Sequence, residues 1–437
     1  MKRFITEDLK NWKAHPKRKP LIIRGARQVG KTYIVRKFAN EYYDNLVYFN
    51  FDHDARLAEL FYNTKDPARI LEQLAIVAGQ KITPGRTLIF FDEIQECDDA
   101  LNALKYFCEF APEFHIIAAG SLLGVRLANT SFPVGKVNFL NLYPMSFSEF
   151  LIADGQASLV DYMKNLEEIR PIPEVLATRL EEKLRVYCLV GGMPEAVATW
   201  VEEKDISAVR RVQSEILESY EEDFSKHVTV AEANKISLVW NSIASQLARE
   251  NKKFIYQSIR EGARAREYES ALNWLRDAGL IYKVPNLAAP KLPLSAYEDL
   301  GAFKVYLLDV GLLSNKVGVE GDIILSRQQL FTEFKGAFAE NYILQSMIAG
   351  GKKQIYYYTF DRHEIDFVRQ DNNGIYPLEV KAGASSSHKS LTNYIDKYQP
   401  SVAVRFSTNN LIHNGKVLNI PLYLADYYHE LVELAEE

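Results

Sequence analysis

Cysteine is scarce in this chain: Cys97, Cys108 and Cys188 are the three in 437 residues. Their spacing matches no metal-ligand pattern and their number excludes a disulfide scaffold, so buried thiols in a reducing, cytoplasmic setting are expected. No uninterrupted apolar run approaches the roughly 18 residues that span a bilayer, and Met1–Asp8 lacks the apolar core of a secretory signal, so no membrane role is expected. A basic excess is missing too. Lys and Arg number 52 against 57 Asp and Glu, for a formal net charge of −5. Proteins that coat nucleic acid without sequence preference are usually basic, so any DNA contact here must be local. Internal repeats are absent, and Ser385-Ser386-Ser387 is the sole low-complexity tract. Tyr and Phe are plentiful but dispersed, as core residues are. The length predicts two to four domains.

Against these absences stands Gly25-Ala26-Arg27-Gln28-Val29-Gly30-Lys31-Thr32, directly after the apolar run Leu21-Ile22-Ile23. A Gly-rich turn between strand and helix can be a mere connection. It can also let the backbone wrap a phosphate, with N–H groups and the helix N-terminus pointing at the anion. In that reading the whole loop Gly25–Thr32 binds ATP or GTP, Lys31 reaches the β- and γ-phosphates and Thr32 holds Mg²⁺. Thr87-Leu88-Ile89-Phe90-Phe91-Asp92-Glu93 supports it, an apolar strand ending in two acids. Asp92 would bind Mg²⁺ through water, and Glu93 would orient and polarise the attacking water, so hydrolysis is expected rather than binding alone.

Strands are predicted at Leu21–Arg24, Leu46–Phe51, Thr87–Asp92, His115–Ala119 and Val137–Leu142, alternating with helices as a parallel sheet with crossovers requires. Ser121, after the fourth strand, is either a γ-phosphate sensor or a helix cap before Leu122-Leu123. From about 151 to 225 the pattern turns helical, as a lid over the nucleotide would. Gly191-Gly192-Met193-Pro194-Glu195 interrupts it with a tight corner that either contacts the nucleotide or only redirects the chain.

Residues 226–318 read as helices followed by a two-stranded ribbon, the pattern of a winged helix. Arg260, Arg264 and Arg266 gather where a recognition helix would meet DNA, with Glu261, Glu267 and Glu269 among them. In the last part, 319–437, a helix carrying Glu340 precedes a predicted hairpin. Asp366 lies on its first strand, Glu379 and Lys381 on one face of the next. These acids either hold Mg²⁺ or Mn²⁺ beside a lysine that polarises a water for phosphodiester attack, or form ion pairs on a solvated face. Pro377, lacking an N–H, predicts an edge strand or a strand start.

With these motifs in hand, nearly the whole chain resembles the bacterial and archaeal AAA-type ATPases with a C-terminal DUF4143 domain. The carrying motifs are Gly25–Thr32, Phe91-Asp92-Glu93-Ile94-Gln95, Ala119-Gly120-Ser121-Leu122-Leu123-Gly124, Leu142–Leu151, Gly191–Glu195, Glu364-Ile365-Asp366 and Leu378-Glu379-Val380-Lys381-Ala382-Gly383. The resemblance implies an α/β multidomain chain. Its parts would be a P-loop AAA-type parallel-sheet ATPase core (1–150), a helical lid (151–225), a winged helix (226–318) and a restriction-endonuclease-like α/β domain (319–437). It implies ATP with Mg²⁺ as ligands, Pro194 against the nucleotide, and Glu340, Asp366, Glu379 and Lys381 as the counterparts of a PD-(D/E)xK nuclease site. Gly135-Lys136 replaces a Gly-Arg pair common in the family, which leaves Arg126 or Lys136 as the sources of charge for a neighbour's nucleotide. Two functions compete: an ATP-dependent enzyme that acts on and cuts DNA, and a nucleotide-driven switch or scaffold whose last domain binds DNA or a protein without cutting. A metabolic kinase is the weaker third, for want of an acceptor pocket.

Overall fold

The computed structural model describes residues 1–54, 56–121, 134–226, 228–249, 252–318, 335–351, 354–371, 374–381 and 389–437. The chain divides into two units, Met1–Tyr143 with Asp277–Leu280, and Pro144–Arg276 with Ile281–Glu437.

In the first unit the elements run α1 (Ile5–Ala14), β1 (Leu21–Arg24), α2 (Lys31–Tyr42), β2 (Asn45–Asn50), α3 (Leu57–Tyr62), α4 (Pro67–Ala78), β3 (Thr87–Asp92), α5 (Asp98–Phe110), β4 (His115–Gly120) and β5 (Asn138–Asn141). The five strands form one parallel sheet in the order β2-β3-β4-β1-β5, as the alternation of strands and helices predicts. Every residue of β3 and β4 is buried, which is why both read as continuous apolar runs instead of alternating ones. Helix boundaries follow local chemistry. Asp66 accepts from Ala68 N ahead of Pro67, and Gly79 closes α4 at φ +60°. Ile22, Val47, Ile89, Phe91, Leu104 and Phe107 belong to the core beneath the sheet. Because β1 lies between β4 and β5, the loop after it opens where strand order reverses, the place where open α/β sheets bind ligands.

The second unit begins with helices at Phe147–Ala153, Ala157–Lys164, Glu174–Val190, Pro194–Glu203, Ile206–Asp223 and Val230–Leu247. The helix Ala265–Asp277 follows, and its last residue is grouped with the first unit. Eight strands make a mixed sheet: β6 (Ile281–Leu287), β7 (Glu298–Leu307), β8 (Ile355–Phe360), β9 (His363–Asp371), β10 (Gly374–Val380), β11 (Ala403–Ser407), β12 (Ile412–Asn414) and β13 (Val417–Pro421), ordered β12-β13-β11-β10-β9-β8-β6-β7. Here the ribbon expected of a winged helix differs from its prediction. β6 and β7 pair with each other, but β6 also runs parallel to β8 through Asn286–Tyr357 and Leu287–Tyr358. Residues Ala302–Leu307 of β7 are all buried, and such a strand is stable in a covered sheet rather than as a solvated wing.

The hairpin of β9 and β10 forms as predicted, with Asp371 opposite Gly374. Pro377 does not mark an edge or a start. It lies inside β10, a central strand, opposite Val368. The ladder to β11 begins one residue later, at Leu378, so the missing N–H precedes that pairing.

Candidate functional site

The loop Gly25–Thr32 connects β1 to α2 through three unusual backbone positions: Gly25 at φ +157°, Gln28 at +62° and Gly30 at +93°. A side chain at Gly25 would meet the Leu142 carbonyl oxygen at 2.2 Å, so only glycine lets the loop turn there. Gly30 caps α2 in the left-handed conformation. Lys31 folds back over the loop and donates to the carbonyls of Gly25 (2.9 Å) and Ala26 (2.8 Å). Its ammonium is buried, and that burial lowers its pKa to about 8 although Glu93 and Asp92 pull it upward.

Thr32 Oγ1 donates to Asp92 Oδ2 at 2.7 Å. Tyr48 donates to the same oxygen at 3.1 Å, and the Glu93 backbone N–H donates to Asp92 Oδ1 at 3.2 Å. Burial raises the Asp92 pKa and these hydrogen bonds from Thr32 and Tyr48 oppose it. Hydroxyl and carboxylate oxygens facing each other at the end of β3 are hard donors and fit Mg²⁺. Glu93 leaves the strand at φ +49°. Its Oε2 accepts from Gln95 Nε2 at 2.5 Å and from Ser121 Oγ at 3.3 Å, and Arg27 Nε donates to Ser121 Oγ at 3.4 Å. Ser121 therefore stands beside Glu93 and Arg27. The segment for which it was a possible cap, Leu122-Leu123, lies outside the described residues.

Four residues here were given no role by the sequence reading. Tyr48 and Gln95 hold the two acids. Arg3 donates to Val29 O (3.0 Å) and Tyr143 O (2.6 Å), so one buried guanidinium ties the phosphate loop to the chain after β5. Gly279, at φ +75°, lies so near the loop that a side chain on it would stand 3.5 Å from the Ala26 nitrogen. Three of the four carry no local signal, because each acts across a long sequence separation or through a backbone contact. The exception is Gln95, whose spacing from Glu93 on a short 3-10 turn could have drawn attention.

The Gly191-Gly192 corner belongs to the second unit. Gly192 N donates to Asp309 Oδ2 at 2.6 Å, and Met145 N donates to Gly192 O at 2.6 Å. A side chain on Gly192 would lie 2.1 Å from Met145 O, and one on Gly191 2.1 Å from Asp309 Oδ1. Close packing explains both glycines, and Pro194 starts the helix Pro194–Glu203. Lys136 pairs with Glu109 at 2.8 Å; Arg126 lies outside the described residues.

The C-terminal acids meet lysines. Glu340, on the helix Lys335–Ala349, is buried; Lys252 pairs with its Oε1, Tyr306 donates to its Oε2 at 2.8 Å, and Lys304 stands 3.9 Å from that oxygen. Asp366 Oδ2 accepts from Val380 N at 2.8 Å. Glu379 Oε1 pairs with Lys381 at 2.8 Å, while its Oε2 is buried without a hydrogen-bond partner. Among the described residues no group of three or more His, Cys, Asp or Glu could hold a metal ion. Of the three acids expected to share Mg²⁺ or Mn²⁺, Glu340 is thus paired with Lys252 and Lys304, Glu379 with the motif lysine Lys381, and Asp366 with a backbone N–H. The alternative of ion pairs on a solvated face does not fit, since Glu340 and Glu379 are both buried.

Comparison with known proteins bears on both units. Residues 17–151 match a family described as AAA domain, residues 335–423 the family of unknown function DUF4143, and residues 181–322 the family of unknown function DUF8612. No curated protein matches the chain. Among solved structures, the chain is similar to the Walker-type ATPase of Pyrococcus abyssi, with 15% identity, 71% of this chain and 94% of that one covered, and a TM-score of 0.45. It is also similar to the Holliday junction branch migration motor RuvB of Thermotoga maritima (16% identity, 61% and 82% covered, TM-score 0.30). A third is the Hsp104–ADP complex of Saccharomyces cerevisiae (16%, 64% and 39%, TM-score 0.28). At such distances only the family matches and the site geometry bear on function. Among the described residues no helix is long and apolar enough to cross a membrane.

Proposed function

We propose that this chain, an AAA-type P-loop ATPase with a C-terminal DUF4143 domain, uses ATP binding and hydrolysis to switch how its helix Ala265–Asp277 engages DNA. One observation carries the reading. The segment Asp277–Leu280, which ends that helix, is grouped with the ATPase core, and its Gly279 lies against the backbone of Ala26 in the phosphate loop. A phosphate drawn into the loop acts on the same backbone, and Gly279 follows the helix by two residues along the chain, so ligand state reaches the helix through covalent continuity.

The chemistry is assigned to the chain's own groups. Backbone N–H groups of Gly25–Thr32 and the N-terminus of α2 hold the phosphates, and Lys31 turns from the loop carbonyls to the β- and γ-oxygens. Thr32 and Asp92 would hold Mg²⁺, which supplies charge neutralisation between the β- and γ-phosphates. Glu93 orients a water and accepts its proton, while Ser121 and Arg27, hydrogen-bonded beside it, sense the γ-phosphate. On the helix side, Arg260, Arg264 and Arg266 are exposed and supply phosphate contacts to DNA.

The test is fluorescence anisotropy of labelled duplex DNA with the full chain, nucleotide-free and with a non-hydrolysable ATP analogue. The expected result is at least a tenfold change in affinity with nucleotide, absent in Lys31→Ala. Arg264→Ala with Arg266→Ala should flatten the logarithmic salt dependence by roughly one to two phosphate contacts. DNA affinity indifferent to nucleotide and to both arginines would move the partner from DNA to protein.

A further inference from the structure

The acidic pocket of the C-terminal domain contains cations that belong to the chain. Lys304, on β7, is completely buried, a placement lysine almost never takes unless paired. Its Nζ lies 2.6 Å from Glu364, 3.9 Å from Glu340 and 5.0 Å from the centroid of the Tyr357 ring. Lys252 is nearly as enclosed and pairs with the other Glu340 oxygen. A side chain at Gly336 would come within 3.2 Å of Lys252 Nζ, so this ammonium fits tightly against the first turn of the helix that carries Glu340. Burial disfavours the Lys304 charge, but Glu340, Glu364 and Asp366 outweigh it and hold the ammonium well above its ordinary value. In the same way Lys304 and Lys252 overcome the burial of Glu340 and keep it ionised.

Neither lysine is on the acid, acid, acid-x-lysine motif, and both come from the middle of the chain, ahead of the segment that matches DUF4143. Lys304 has no exposed surface, so moving its ammonium out would break its pairs with Glu364 and Glu340. A divalent ion entering between Glu340 and Asp366 would have to compete for Glu340 with two ammonium groups that already pair with both of its oxygens.

We propose that Lys304 and Lys252 are the permanent cations of this pocket, so that the C-terminal domain holds no divalent metal and does not cut DNA by metal-dependent chemistry. The pocket instead locks the helix Lys335–Ala349 to β7 and to the segment after Val230–Leu247. This inference is independent of the ATP switch, since it concerns residues that take no part in nucleotide binding.

The experiment titrates the nucleotide-free full chain with Mn²⁺ and reads the free ion by electron paramagnetic resonance. Wild type and Asp366→Asn are compared, and plasmid nicking is assayed with both. Equal Mn²⁺ binding and no nicking by either protein is the expected result. One Mn²⁺ per chain bound by wild type and lost in Asp366→Asn would overturn the proposal, as would nicking that the substitution abolishes. Lys304→Met adds a second readout. Its thermal midpoint should fall by several degrees and recover with Mn²⁺, whereas that of wild type should not respond. Should Lys304→Met fail to fold, the wild-type and Asp366→Asn pair decides the question alone.

Discussion

Affinity for ATP should fall as pH rises through 8, and the reason is the resting state of Lys31. In the loop its ammonium is buried against the carbonyls of Gly25 and Ala26, and its pKa drops from 10.5 to about 8. Burial is the main cause, partly offset by Glu93 and Asp92 and reinforced by Arg27. Phosphate oxygens at the same ammonium favour the charged form, so above pH 8 binding must take up a proton. At pH 9 only about a tenth of free Lys31 is protonated, so the apparent Kd should be about tenfold weaker than at pH 7, roughly 1.4 kcal/mol. Stability of the nucleotide-free protein carries the opposite trend. A lysine whose folded pKa is depressed destabilises the fold fully below pH 8, and this cost fades between 8 and the unfolded value of 10.5. Isothermal titration calorimetry with ATP and Mg²⁺ at pH 7, 8 and 9, in buffers of different ionisation enthalpy, measures the Kd and the proton uptake on binding. Uptake should approach about 0.9 proton at pH 9. Lys31→Ala should bind weakly at every pH and take up none through this group. A wild-type Kd that is flat from pH 7 to 9, with no proton uptake, refutes the argument.

Glu93→Gln should keep ATP affinity within about twofold and lose turnover by roughly 10²–10⁴, the range for a general base, as measured by equilibrium binding and steady-state phosphate release; undiminished turnover would remove Glu93 from the chemistry. Asp309 is completely buried and accepts from Gly192 N (2.6 Å), Leu312 N (3.0 Å) and Gln345 Nε2 (3.3 Å). Asp309→Ala strands two backbone donors at about 1–3 kcal/mol each, so its urea midpoint should fall clearly below that of Asp309→Asn, which keeps an acceptor oxygen. Equal midpoints for the two variants would mean that the corner does not depend on this acceptor.

The sequence alone determined whatever depends on near neighbours along the chain. Gly25, Gly30 and Lys31 lie within one loop, and an apolar strand that is buried on both faces needs no partner to be recognised, so the phosphate loop, β3 with Asp92 and Glu93, and the parallel core were legible before any coordinates. Asp366, Glu379 and Lys381 were legible for the same reason, as residues on a short hairpin. Tertiary structure decided what those acids face. Lys252 and Lys304 lie 88 and 36 residues from Glu340 along the chain, and no periodicity or local spacing joins them; only the packing of β7 and the helix Lys335–Ala349 brings them together. The same holds for β6 and β7, a ribbon by local pattern that became part of an eight-stranded sheet because its apolar faces require cover. Arg3 and Gly279 reach the phosphate loop by long-range contact. Local motifs therefore specified a phosphate site, while the charge balance of the second pocket came from contacts that burial alone can impose.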